Sequence, residues 1–129
     1  MKKILFIAVC CLCLCGCGKK ELKTTCSIST EWINETRVII HDGKSIKEEK
    51  WERIFTHKNL NSATTEENEI NKYCKKQNYS CNIYRKGKTT TTKISFRCGK
   101  NTPNENSECD YLNQIKMLED SGFNCIEEN

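Results

Sequence analysis

The chain is poor in the residues that build most catalytic centres. Its 129 residues include two histidines, two tryptophans, two methionines and a single proline. No G-x-S-x-G, H-E-x-x-H or EF-hand pattern occurs, so the common hydrolase, zinc-protease and calcium-loop signatures are missing. Gly87-Lys88-Thr89 has the tail of a phosphate-binding loop. Asn82, however, stands where that loop needs its first glycine, and the surroundings read as a hairpin. A strong charge of one sign is lacking too. There are 21 Lys and Arg against 17 Asp and Glu, and Lys2 and Lys3 belong to an N-terminal leader. The rest is too evenly balanced for nucleic-acid binding through bulk electrostatics. His41 and His57, on strands either side of a hairpin, have no carboxylate or thiol set beside them in sequence. They are expected to be ordinary surface or turn residues, with no metal and no cofactor.

Long apolar runs are limited to Ile4–Leu14. That is too short to cross about 30 Å of hydrocarbon, which takes about 20 apolar residues. Preceded by Lys2 and Lys3, it reads as the core of an export signal. Leu14-Cys15-Gly16-Cys17 resembles the lipobox of bacterial lipoproteins, in which small residues precede the cysteine whose thiol takes diacylglycerol. Cys15 departs from that pattern, which usually has Ala, Ser, Thr or Val there, but Cys17 is the cysteine with glycine directly before it. The expected organisation is a cleaved signal over 1–16, a lipidated Cys17 with a tether over 17–23, and one domain over 24–129. Two acyl chains hold such a domain firmly to a bilayer. Lys19, Lys20 and Lys23 beside the anchor can add attraction to anionic lipid.

Cysteine is what the chain has in plenty, with 11 in all. Cys10, Cys11, Cys13 and Cys15 leave with the signal and Cys17 is acylated. Cys26, Cys74, Cys81, Cys98, Cys109 and Cys125 remain. An even number in an exported domain favours disulfides, with fifteen connectivities open to six thiols. No two of the six form C-x-x-C, which argues against a thioredoxin-like pair or a zinc knuckle. Cys109 and Cys125 flank a predicted helix roughly 20 Å long and should not bond each other. Cys74 and Cys81 lie either side of a short helix-to-strand connection, and Cys98 and Cys109 bracket a polar stretch. Cys26 with Cys125 then remains.

Alternation of Cys26, Ile28, Thr30 and Trp32 with polar neighbours predicts a strand over 24–32, followed by a turn at Ile33-Asn34-Glu35. A second strand is expected over 36–41, and Asp42-Gly43 is a hairpin signal. The third, over about 44–55, has Trp51 and Phe55 facing inward, and its charged middle Lys47–Lys50 suggests an edge or a bulge. Residues 59–64 read as a loop, with Thr64 and Glu67 as a capping box for a helix ending near Asn78. Strands over 81–84 and 89–98 turn about Lys86-Gly87. A polar loop over 99–108 contains Pro103. Ser107–Asp110 then caps a helix bearing Tyr111, Leu112, Ile115 and Leu118, which Gly122 and Phe123 close in Schellman fashion. The order β-β-β-α-β-β-α predicts an α+β domain, a mainly antiparallel sheet of about five strands with two helices on one face.

The hairpin at His41-Asp42-Gly43-Lys44, the mid-chain helix, the second hairpin and the terminal segment Met117-Leu118-Glu119-Asp120-Ser121-Gly122-Phe123 together resemble the small YehR-like bacterial lipoproteins. The likeness covers most of the domain in layout and two short stretches in residues. The six cysteines depart from it. The resemblance implies the anchor and the fold, and brings no catalytic residues. Acidic residues such as Glu48, Glu49, Glu66, Glu67 and Glu69 read as solvated. Trp32, Trp51, Tyr73, Tyr79 and Tyr84 would mostly be needed for the core. The chain is therefore expected to be a membrane-anchored extracytoplasmic module, non-enzymatic, held by lipid on Cys17. Its partner would be an envelope protein or small ligand. The alternative is a thiol/disulfide redox-active lipoprotein.

Overall fold

Side chains that alternate between burial and exposure dominate the chain, and they assemble into one sheet. The computed structural model describes residues 20–99 and 109–128. In chain order the elements are β1 (Leu22–Ser29), β2 (Ile33–His41), β3 (Ile46–Thr56), α1 (Leu60–Gln77), β4 (Ser80–Lys86), β5 (Thr89–Arg97), α2 (Tyr111–Asp120) and β6 (Asn124–Glu128). The six strands are antiparallel, in the order β4-β5-β3-β2-β1-β6. The α+β class and the expected element order hold, with a sixth strand added after the last helix. The signal over 1–16, Cys17 and the start of the tether lie outside the described residues, as does most of the 99–108 loop. Strand β1 starts inside the expected tether.

One row of cross-strand neighbours explains how both helices come to share a face. Cys125, Cys26, Arg37, Trp51, Ile94 and Cys81 stand directly opposite one another from β6 across to β4. Residues paired in this way point to the same side of a sheet. On that side α2 brings Tyr111 and Leu118 onto Cys26, Ile39 and Ile46. Helix α1 brings Cys74 and Ile70 onto Tyr79, Ile94 and Phe96. The opposite face, with Thr25, Val38, Lys50 and Ser95 in one row, is covered by neither helix.

Three disulfides fasten this arrangement: Cys26–Cys125 across β1 and β6, Cys74–Cys81 between α1 and β4, and Cys98–Cys109 between the ends of β5 and α2. These are the three pairs to which the sequence separations pointed. The helix termini combine agreement and correction. Gly122 at φ 96° and the bonds from Phe123 N–H to Leu118 O and Gly122 N–H to Glu119 O form the Schellman ending. Asp110 caps α2, its carboxylate accepting from Asn113 N–H at 3.0 Å, while Ser107 lies outside the described residues. Helix α1, in contrast, starts a turn before Thr64. Asn59 is its cap, accepting from Ser62 N–H at 2.8 Å, and the Thr64 hydroxyl donates back to Leu60 O.

The expected turn at Ile33–Glu35 lies instead inside β2. The chain reverses at residues 30–32, where the Thr30 hydroxyl accepts from the N–H groups of Trp32 and Ile33. Strand β3 is central and no edge strand. The irregularity suspected in its charged stretch is a bulge, since Ile40 pairs with Glu48 while His41 pairs with Ile46.

His41 is fully buried, not at the surface. Its ring stacks on Tyr111 with centroids 3.6 Å apart and planes 8° from parallel. Its Nδ1 accepts from Gly43 N–H at 3.0 Å, which leaves the proton on Nε2, 2.8 Å from the Thr24 hydroxyl. Tyr111 OH completes the chain at 2.8 Å from the same oxygen. Burial pushes the His41 pKa below its ordinary 6.5, against the opposing pull of Glu127 and Asp42. The unfolded chain therefore binds more protons between that lowered value and 6.5, and folding stability falls as pH drops through this window. Urea titrations across it should show the His41 contribution to stability declining as the pH falls. His41→Phe, which keeps the stacked ring, should flatten that slope.

Candidate functional site

Helix α1 is pinned over β4 and β5 by Cys74–Cys81, and α2 lies over β1 and β2. Between them, over the middle of the sheet, the inward positions of β2 and β3 carry charge where an apolar core would be expected. Glu35, only 2% exposed, accepts from Arg37 Nε at 2.6 Å and from Arg53 Nε at 2.7 Å. Arg37 Nη1 reaches Glu49 Oε1 at 3.3 Å, and Glu49, with no exposed surface, also accepts from Gln114 Nε2 of α2 at 3.1 Å. On the other side, Arg53 lies 3.6 Å from Glu66 of α1, and Glu66 lies 2.9 Å from His57 Nε2. One polar belt thus runs from α2 across the sheet to α1.

Register explains the belt. Glu35 stands opposite Arg53 across β2 and β3, while Arg37, opposite Trp51, reaches Glu35 two residues away on its own strand and Glu49 diagonally on β3. The Arg37 guanidinium lies 3.7 Å above the Trp51 ring. Buried charges are tolerated in this form because each carboxylate receives charged or amide donors.

A cleft of ≈ 1280 Å³ opens above the belt on the α1 side. The sheet contributes Trp32, Ile33, Trp51, Arg53, Phe55 and His57 to it. The helix contributes Thr65, Glu66, Glu69, Ile70 and Tyr73. Trp32 is 44% exposed at its mouth. Trp51 lies deeper, its buried Nε1 without an acceptor among the described residues. Apolar walls with a few oriented polar groups are the usual make-up of a ligand site.

The cleft gathers Trp32, Trp51 and Tyr73 from the aromatics singled out in the sequence, together with Glu66 and Glu69. Tyr79 instead stacks on Phe96 in the core, and Tyr84 is exposed. Glu48 faces outward beside Lys50 and Arg97, and Glu67 pairs with Arg85. Glu49 is buried, contrary to its reading as a solvated acid. His57 is buried as well, and it sits beyond the end of β3 opposite to that paired with His41, so the two histidines are far apart. Sequence reasoning missed Glu35, Arg37, Arg53 and Gln114. The signal was the inward parity that β2 shares with Ile39 and β3 with Trp51.

The belt is poorly arranged for catalysis. A nucleophile–histidine–acid relay uses both ring nitrogens, one for each partner. Here Thr90 Oγ1, at 3.2 Å, and Glu66 both meet Nε2 of His57, and Thr90 is itself buried. Glu35 and Glu49 are held by arginines. Among the described residues no three His, Cys, Asp or Glu side chains are grouped to hold a metal ion, and no helix is long and apolar enough to cross a membrane.

The chain matches no protein-family model, no curated protein and no solved structure.

Proposed function

We propose that this protein is an extracytoplasmic lipoprotein, anchored through diacylglycerol on Cys17, whose domain is a non-enzymatic binding module with the α1–sheet cleft as its site. The observation that carries the reading is a large aromatic-lined cleft resting on a rigid, fully paired ionic floor. That floor holds Trp51 and Arg53 in place before any ligand arrives, which lowers the ordering cost of binding.

An anchor at Cys17 would join the domain at the end of β1 remote from the cleft. Cys17 shortly precedes Leu22, where β1 begins beside His41, and β1 then runs its whole length to Thr30 and Trp32 at the cleft. At about 3.3 Å per residue the eight residues of β1 span about 26 Å between its two ends. Three disulfides suit an oxidising compartment outside the cytoplasm, and the YehR-like resemblance accords with such an anchor. Since all six cysteines downstream of Cys17 are paired, no free thiol among them supports the redox alternative.

Thr65 faces the cleft from the exposed side of α1, so Thr65→Trp should fill the site without disturbing the core. A protein-free small-molecule extract of the cell envelope should raise the melting temperature of the full chain by several degrees and leave Thr65→Trp unmoved. Equal shifts in both proteins, or none in either, would contradict the assignment.

A further inference from the structure

Building on the binding-module reading, we infer that the cleft takes a neutral oligosaccharide. The first ground is charge. Arg53 and Lys58 are matched by Glu66 and Glu69 around the cleft, and Arg53 is already neutralised by Glu35 and Glu66. The formal charges of the cleft lining therefore balance, two of each sign.

The second ground is the pattern of surfaces. Trp32, Trp51 and Tyr73 line the cleft, Trp51 with one ring face taken by Arg37, and the negative quadrupole of an aromatic face attracts the weakly positive C–H face of a pyranose. Around them the first turns of α1 present Asn61, Ser62 and Thr65, and Asn59 stands before them as the cap. Amides and hydroxyls both donate and accept, as sugar hydroxyls do. A flat C–H face edged by hydroxyls is the complement of such a lining.

The third ground separates a glycan from a peptide. An extended peptide is usually held by backbone hydrogen bonds to an open strand edge. The strand beneath the cleft is β3, whose two sides are taken by β2 and β5. Recognition is therefore left to side chains. The volume, ≈ 1280 Å³, exceeds the upper value of about 1,000 Å³ for drug-sized ligands and suits a chain of rings better than a single ring.

The chain's two tryptophans both line this cleft, so intrinsic fluorescence reports its occupancy directly. Full-length protein in phospholipid nanodiscs, free of glycoside detergents, would be titrated with chitotetraose. The expected result is saturable change, weakened about tenfold or more in Trp32→Ala and largely restored in Trp32→Phe. Trp51 remains as reporter in both variants. Absence of saturable change at millimolar sugar, or equal affinity in Trp32→Ala, overturns the inference. The extract experiment with Thr65→Trp separates the two levels. If the extract still distinguishes wild type from Thr65→Trp while the sugar fails, the cleft binds another class of ligand. If both fail, the binding reading falls as well.

Discussion

Glu35→Ala is expected to destabilise the domain by about 3–5 kcal/mol, the usual cost of removing one partner from a buried ion pair. Glu35 takes the Nε donors of both Arg37 and Arg53. Its loss strips Arg37, which is 8% exposed, of its closest counter-charge and leaves Glu49 to hold it at 3.3 Å. Set against a total stability of about 5–15 kcal/mol for a native domain, that is a large fraction. The effect should be read by urea denaturation, using the fluorescence of Trp51 beneath Arg37. A complementary variant separates pairing from packing. Replacing Glu35, Arg37 and Glu49 together with Leu, Met and Leu removes the charges while keeping volume, and should cost much less than Glu35→Ala alone. Such a variant would lose the rigid floor while keeping the fold. A cost below about 1 kcal/mol for Glu35→Ala would show that the belt behaves as a surface ion pair.

Opening Cys26–Cys125 should have a comparable effect, through a different cause. The bridge closes a loop with a sequence separation of 99, whereas Cys74–Cys81 and Cys98–Cys109 close loops of 7 and 11. On the chain-entropy model a loop of about 100 residues gives about 4.7 kcal/mol, and one of about 15 residues about 3 kcal/mol. Cys26→Ala with Cys125→Ala should therefore be the most destabilising of the three paired replacements. It should also loosen β6 selectively, because that edge strand pairs only with β1. Hydrogen exchange would show this as faster exchange at Asn124–Glu128 than in β2 or β3. A larger loss from either short loop would contradict the ordering.

What could be read from the sequence was largely local. Strand β5 shows its alternation in Thr90, Thr92, Ile94 and Phe96, and these four are its buried residues. Asp42-Gly43 forms its turn because Asp42 accepts from the N–H groups of Lys44 and Ser45 while Gly43 takes φ 96°. The C-terminal end of α2 was equally legible. Features settled between distant segments were not. Strand β6 is five residues ending in two glutamates, and it exists by pairing with β1 and by its disulfide. Two sequences competed for the start of α1, and Asn59 prevailed over Thr64, in a helix that buries Ala63 completely.

The site followed the same division. Its aromatic residues were visible as types, but the sequence could not say which of them the core would consume. Tyr79 went to the core, and Trp32, Trp51 and Tyr73 to the cleft. Glu49 read as solvated, Glu35 fell in an expected turn and Arg37 was not singled out, because a charge reads as exposed unless its partner is known. Apart from the Glu35–Arg37 pair within β2, those partners lie on other strands or on α2.

Intact mass of the protein taken from membranes, measured after alkylation without reduction, tests the anchored and exported state most directly. The expected species begins at Cys17, carries diacylglycerol there, and has no alkyl group on Cys26, Cys74, Cys81, Cys98, Cys109 or Cys125. A species that retains Lys2 and Lys3 without lipid, or that alkylates at any of those six thiols, would contradict an extracytoplasmic lipoprotein closed by three disulfides.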